Sequence, residues 1–297
     1  MPDIDLRPLL DSWRLHLRAE RKSFETVKAY TEGVRQFLAF CDREGVPAVL
    51  DKPTVNAFVA GLLDGGAEAS TARSRQLGVR RFSAWLEAED EIERDELLGL
   101  NPPKLDEKVT PRLSDDECRA LIKACSGKTF HDRRDEAVVR FMLEAIVRAG
   151  EVVAMELDDV RLAAGHAIIR SGKGGKGRAV PFGPQTATAI DRYIRMRKTH
   201  RLADTPTLWL GDRGKRFTYQ ALYRTLARRA ERAGIENFHP HLTRHTASQR
   251  WLAAGGSEGG LMAVAGWTRR DMLDRYTKAS ATERAINEAR GLNLGDL

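Results

Sequence analysis

One segment constrains the fold more than any other. Asn101-Pro-Pro-Lys-Leu-Asp-Glu-Lys-Val-Thr-Pro-Arg112 carries three prolines and has almost no apolar content. It can neither continue a helix nor bury a strand, so it reads as an extended linker. Just beyond it, Ser114 and Glu117 have capping-box spacing and open a new helix. The chain of 297 residues is therefore expected to form two domains, residues 1–100 and 113–297, joined by a connector over 101–112.

Before the linker the pattern is helical throughout. Leu6, Leu9, Leu10, Trp13 and Leu17 return every three or four positions, as one helix face requires. Ser23 caps a second helix from Phe24 to about Asp42, with Tyr30, Val34, Phe37 and Leu38 on its apolar side. Pro53 begins a third helix that Gly65-Gly66 stops, and Ser70 or Thr71 opens a fourth carrying Leu77, Phe82, Trp85 and Leu86. Lys22 and Lys28 flank the second helix start and Arg73 and Arg75 load the fourth, which makes one face of this domain a candidate for phosphate contacts.

After the linker a helical rhythm runs over 133–147, followed by Ala149-Gly150-Glu151 and a further short helix. A β signal comes next. His166-Ala-Ile-Ile-Arg170 and Arg178-Ala-Val-Pro-Phe182 are short apolar runs joined by the glycine-rich Ser171–Gly177, which reads as a hairpin. Helices resume over 184–196, 219–233 (capped by Thr218), 242–254 and 271–279. The fold class is mainly α with a small β-hairpin.

Lys and Arg number 49 against 42 Asp and Glu, a net charge of +7, and the pI is about 9.4. That balance favours a polyanionic partner. No apolar run reaches about 18 residues, and Met1-Pro-Asp-Ile-Asp5 lacks the basic-then-apolar order of a secretion signal, so a cytoplasmic protein is expected. Cys41, Cys118 and Cys125 have no CxxC spacing, and His239, His241 and His245 cluster without a cysteine or acidic partner at metal-ligand spacing. Neither a disulfide framework nor a metal site is expected, nor any cofactor. Gly172-Lys173-Gly-Gly-Lys176-Gly177 is not a nucleotide-binding loop, because the preceding strand, the GxxxxGK[ST] order and the following helix are missing.

Four groups of residues suit chemistry on a phosphate. Lys173, with Lys176 as second choice, is a cation at a hairpin tip, and lysine suits proton donation when neighbouring charges lower its pKa. His241 and Arg244 lie three apart at a helix start, on one face and near the positive end of the helix dipole. Arg148 closes an apolar helix beside Glu151, its natural structural partner. Tyr276 follows Trp267 in a basic neighbourhood, and a phenol becomes a useful nucleophile only where cations stabilise its anion or a base takes its proton.

Taken in order, Arg148 in Ile146-Val-Arg-Ala-Gly-Glu151, Lys173 in Gly172-Lys-Gly, His241-x-x-Arg244, Gly266-Trp267 and Tyr276 resemble the signature of the tyrosine recombinases, the phage integrase family. His241 to Arg244 is 3 positions, Arg244 to Trp267 is 23 and Trp267 to Tyr276 is 9, all within that family's usual pattern. The resemblance covers the whole chain and implies a SAM-like core-binding domain, a connector and a mixed α/β catalytic domain. Two positions depart from it: Thr243 stands where leucine often precedes the second arginine, and Trp267 where histidine is commoner. An indole can donate a hydrogen bond but cannot exchange a proton near neutral pH.

The resemblance implies that Tyr276 attacks a DNA phosphodiester to give a 3′-phosphotyrosine and a free 5′-hydroxyl, without metal or ATP. Arg148 and Arg244 would clamp the non-bridging oxygens, Lys173 would protonate the leaving oxygen, His241 would assist the tyrosine's proton, and Trp267 would donate to the phosphate. DNA would be held between the two domains, and helix 219–233, entered through Arg213, Lys215, Arg216, Thr218 and Tyr219, is the candidate for groove or phosphate contacts. Within the family the chain looks like a compact integrase of the mycobacterial-phage type without an arm-binding module, integrating a viral genome at attachment sites. A Xer-type resolution recombinase is the alternative. The expected assembly is a homotetramer on DNA, monomeric or weakly associated when free, linked through a C-terminal helix at about 282–290 and the apolar Leu292, Leu294 and Leu297. An excisionase is a further candidate partner, and activity would place the protein on the bacterial nucleoid. A binding-only recombinase derivative is the rival from another class, and a type IB topoisomerase is a closer, enzymatic rival.

Overall fold

A computed structural model of the chain describes residues 5–105, 111–170 and 177–277, with Ile286 and Ala289. Lys173, Lys176, most of the 282–290 segment, and Leu292, Leu294 and Leu297 lie outside the described residues. The chain divides into two compact units, Met1–Lys108 and Val109–Leu297.

The first unit is built from α1 (Leu6–Ala19), α2 (Phe24–Glu44), α3 (Lys52–Asp64) and α4 (Ala69–Ala88). Side-chain oxygens of Asp5, Ser23 and Asp51 accept from backbone N–H groups that the first turns of α1, α2 and α3 would otherwise leave unpaired. The fourth helix starts one residue before Ser70, with Glu68 at the cap position and no side-chain capping bond there. Its main-chain carbonyl already accepts from Thr71 and Ala72 N–H, which puts Ser70 inside the first turn. Trp13, Phe37, Phe58, Phe82 and Leu86 fill the core, each worth about 1.5–3 kcal/mol of transfer free energy. The closest helix contact, α2 on α4, depends on two glycines. A Cβ at Gly33 would lie 2.6 Å from the Arg75 carbonyl oxygen, and one at Gly78 would lie 2.6 Å from that of Tyr30.

In the second unit, α5 (Asp115–Cys125) begins at the Ser114/Glu117 capping box and α6 (Phe130–Glu144) at a second box, Thr129/Asp132, three residues earlier than the apolar rhythm suggests. A short α7 (Ala149–Val153) and a 3₁₀ turn lead into β1 (Val160–Arg161), β2 (His166–Ile169) and β3 (Arg178–Pro181). These form an antiparallel sheet in the order β1-β2-β3, with His166 opposite Pro181 and Ile169 opposite Arg178. The expected hairpin is present, and β1 adds a third strand too short for alternation to reveal. Then follow α8 (Pro184–Arg197), α9 (Tyr219–Arg232), α10 (Pro240–Ala253), α11 (Glu258–Ala265) and α12 (Asp271–Thr277). The helix expected from Leu242 starts at Pro240, where the missing N–H costs nothing in a first turn. Helix α11 has no counterpart in the sequence reading, because Gly259-Gly260 hides it; Ser257 caps it and Gly266, at φ +67°, ends it.

The main core gathers Phe141, Met142, Tyr193 and Trp209. Charge is buried here as well. Asp135 binds both Arg134 and Arg229 at 2.8 and 2.7 Å, and Arg229 also reaches Asp132 at 2.9 Å. A smaller cluster of Ile146, Ala247, Leu252, Leu261, Ala265, Trp267, Leu273 and Tyr276 joins α10, α11 and α12 to the turn after α6. Among the described residues no helix is long and apolar enough to cross a membrane.

Candidate active site

The start of α10 organises the small cluster. His239 is its cap and Pro240 its first residue, so His241, Arg244 and His245 lie on the first turns. Thr243, where leucine was the expected residue type, is buried and donates its hydroxyl to the Pro240 carbonyl at 2.8 Å. The helix thus accommodates the hydroxyl without an unpaired donor.

Arg244 is only 2% exposed. One terminal nitrogen donates to the Ile146 carbonyl and the other to that of Ala265 at 2.7 Å, while the guanidinium lies 5.5 Å from the centre of the Trp267 ring. Burial, followed by repulsion from Arg148, lowers its pKa to about 10, which leaves it charged at neutral pH. A guanidinium has five N–H donors, and Arg244 makes two hydrogen bonds among the described residues. Ile146, whose carbonyl it grips, has φ +54°. A β-branched residue in the left-handed region stores about 1–3 kcal/mol of strain, and here its side chain is buried against the Trp267 and Tyr276 cluster.

Arg148 follows as the cap of α7. Its backbone N–H donates to Glu151 Oε2 at 2.8 Å and its guanidinium to Oε1 at 2.9 Å, leaving the side chain 31% exposed. Arg178 on β3 binds the same carboxylate through both terminal nitrogens at 2.9 and 2.8 Å and donates its Nε to the Val264 carbonyl at 2.6 Å. A Cβ at Gly266 would meet Arg178 Cδ at 3.2 Å. Arg178 therefore ties the Arg148 turn and the end of α11 to the strand that leaves the Lys173 segment. Burial pushes the Glu151 carboxyl up, but Arg178, the Arg148 N–H and both positive charges outweigh it and hold the pKa below the ordinary glutamate value.

The Trp267 and Tyr276 rings stack at 5.1 Å with 21° between planes, both nearly fully buried. Trp267 Nε1 is buried without a hydrogen-bond partner among the described residues, an orphan donor that an incoming acceptor would satisfy. Tyr276 Oη is hydrogen bonded to His245 Nδ1 at 2.5 Å, and the His245 ring meets the His241 ring edge-on at 4.3 Å. Arg148, Arg244, Trp267 and Tyr276 are thus gathered at one place, with His241 one ring away from the phenol. Of the other tyrosines, Tyr193 is fully buried; its hydroxyl donates to the Leu208 carbonyl and accepts from Leu210 N–H. That engagement, with a pKa pushed up to about 12 chiefly by burial, makes it a structural residue.

Sequence reading gave no role to His245 or Arg178. His245 is visible only as one of three clustered histidines, and Arg178 only as the charged first residue of a strand. Their partners are 31 and 27 positions away.

The candidate DNA contacts are spread over both units. Lys22, Lys28 and Arg73 are exposed, Lys22 within 3.5 Å of Glu20, whereas Arg75 is half-buried and donates to Gln36 Oε1 at 3.0 Å. Arg216, Thr218 and Tyr219 are exposed before and at the start of α9, and the Thr218 hydroxyl caps that helix by accepting from Ala221 N–H at 3.2 Å. Among the described residues no group of His, Cys, Asp and Glu could hold a metal ion.

The profile of the phage integrase family matches residues 111–283, and that of the phage integrase N-terminal SAM-like domain matches residues 9–90. Tyrosine recombinase XerC of Azotobacter vinelandii is 31% identical over 247 residues, which are 82% of each chain. The XerA recombinase structure superposes at a TM-score of 0.55 with 25% identity, covering 96% of this chain and 99% of that one. A lambda integrase dimer bound to a COC′ core site has the same fold at a TM-score of 0.70 and 16% identity, over 91% of this chain and 97% of that one. With both parts matched, the chain belongs to the phage integrase family, the tyrosine recombinases.

Proposed function

We propose that the protein is a site-specific DNA recombinase in which Tyr276 is the nucleophile. The observation that carries this reading is the placing of one buried phenol against an indole and a histidine, beside an arginine that makes two hydrogen bonds among the described residues. In the proposed reaction Tyr276 Oη bonds to phosphorus as the bond to the 5′-oxygen breaks. The phosphodiester energy is kept in a 3′-phosphotyrosine, so rejoining needs no ATP. Arg244 and Arg148 stabilise the negative charge on the non-bridging oxygens, a contribution of about 10²–10³ in rate for each donor group. Trp267 Nε1 donates to the same phosphate, His241 assists the phenol proton, and Lys173 supplies the leaving oxygen's proton, a role that rests on the resemblance alone.

The protein binds duplex DNA as an oligomer in this reading, supported by the lambda integrase dimer on its core site and by the net charge of +7. Lys22, Lys28, Arg73, Arg75, Arg216, Thr218 and Tyr219 are its proposed contacts. Four protomers on two sites, an excisionase partner and association with the nucleoid extend the reading. Phage integration and Xer-type resolution share this machinery, and the XerC relative at 31% identity supports the second. Recombination of one plasmid carrying two copies of a chromosome-dimer site, against joining of a phage and a bacterial site, separates them.

The test is to incubate the protein, in EDTA and without ATP, with nicked duplexes selected by binding from a random library. A covalent protein–DNA band is expected for wild type and none for Tyr276→Phe. Tight binding without covalent product under the same conditions would make this a DNA-binding protein that does not cut.

A further inference from the structure

His241 is the histidine that the family signature pairs with the phenol's proton, yet the phenol oxygen contacts the next turn of the same helix. His245 Nδ1 lies 2.5 Å from Tyr276 Oη. We propose that His245 both orients Tyr276 and accepts its proton as the phosphotyrosine bond forms. This deepens the recombinase reading and rests on it.

The placement follows from helix geometry. Residues four apart share a helix face, so His241 and His245 stack edge-on at 4.3 Å along α10, and only the inner of the two is half-buried beside α12. Trp267 covers one face of the Tyr276 ring at 5.1 Å and His245 approaches from the hydroxyl end, leaving the residue 5% exposed. A phenol so enclosed hands its proton most directly to the group bonded to its oxygen. A neutral imidazole carries one protonated ring nitrogen and one that accepts.

The step balances. As Oη bonds to phosphorus and the bond from phosphorus to the 5′-oxygen breaks, the phenol proton passes to His245 Nδ1, giving an imidazolium. The departing oxygen takes its proton from a different donor. In rejoining, a 5′-hydroxyl attacks, Oη leaves, and the imidazolium returns the proton. Among the described residues, the charged and titratable groups here are His241 and Arg244 on α10, Arg148 and Glu151 at α7, Arg178 on β3, and on α12 Tyr276, with Asp271 and Asp274 in that helix's first turn. Asp271 is paired with Arg269 at 2.9 Å.

The experiment is single-turnover cleavage of a nicked duplex by the full chain, against pH, for His245→Asn, His245→Leu and His241→Asn. Asparagine keeps an acceptor near the Nδ1 position but takes no proton. His245→Asn is expected to bind the duplex as wild type does and to cleave on the order of 100-fold slower, without the acidic limb of the pH–rate profile. His245→Leu should be slower again. The defect should persist on a duplex with sulfur in place of the bridging 5′-oxygen. That leaving group needs no proton, so the same substrate should rescue a variant lacking the leaving-group acid, such as Lys173→Ala. The proposal fails if His245→Asn keeps the wild-type rate, if its rate falls with the profile unchanged, if sulfur rescues it, or if His241→Asn alone removes the acidic limb. Absence of any covalent product from wild type would instead overturn the recombinase reading.

Discussion

Arg197 and Arg244 are alike by every simple measure of a buried cation. They are 3% and 2% exposed, both bond to main-chain carbonyls, and burial lowers the pKa of both. Their surroundings differ. The loop after α8 wraps Arg197, which donates Nε to Thr207 and Leu208 at 3.2 Å, one terminal nitrogen to Ala203 at 2.8 Å, and the other to Thr205 and Thr207 at 2.5 and 2.7 Å. Arg244 makes one bond from each terminal nitrogen and faces an indole whose own N–H is unpaired among the described residues. A depressed pKa or deep burial therefore does not separate Arg197 from the arginine proposed to meet the phosphate. What separates them is donor capacity left over, next to other groups that want an acceptor.

The largest expected effect that probes this difference is on chemistry. Arg244→Gln should lower single-turnover cleavage by about 10²–10³-fold while costing less stability than Arg197→Gln, since Arg244 donates to two carbonyls, Ile146 and Ala265, where Arg197 satisfies those of Ala203, Thr205, Thr207 and Leu208. An equal loss of stability would erase the distinction. Arg197→Gln should do the reverse. It strands several buried carbonyls at about 1–3 kcal/mol each, so denaturant unfolding should show a loss of a few kcal/mol, with cleavage by the folded fraction retained.

Glu151 sharpens the comparison from the side of its partners, because Arg148 and Arg178 share it. Its folded pKa is lowered, so its contribution to stability is complete above the ordinary glutamate range and disappears as pH falls through the depressed value. Glu151→Gln should be less stable than wild type at neutral pH, by about 1–3 kcal/mol. The two stabilities should converge in acid, as thermal melts at stepped pH would show. The smallest effect lies in the first unit. Arg73 is exposed and Arg75 is bonded to Gln36, so Arg73→Ala should reduce the slope of log affinity against log salt by about 1, and Arg75→Ala by less.

Much of this was legible because it is local. The Ser114/Glu117 box, the two longer strands around the Lys173 segment, and the helix that begins at His239-Pro240 are written in neighbouring residues, and the integrase signature lies along the chain in order. Contacts made by folding were not legible. The Tyr276 to His245 bond spans 31 positions, and Arg178 reaches Glu151 across 27. Nothing in Ile146 as a residue type signals φ +54°, a conformation imposed by the turn that aims its carbonyl at Arg244. Arg197 shows the converse, since its sequence context of a basic helix end gives no hint that it is enclosed.

The most direct test of the central claim, that Arg244 waits for the charge of a phosphate, is cleavage of a duplex whose scissile phosphate carries methyl in place of one non-bridging oxygen. That substrate develops less negative charge. Arg244→Gln should recover much of its lost rate on it, relative to wild type, and Arg197→Gln should show no such selective gain. If Arg244→Gln is as impaired on the neutral phosphonate as on the natural diester, Arg244 does not meet the phosphate charge, and the distinction drawn between the two arginines is wrong.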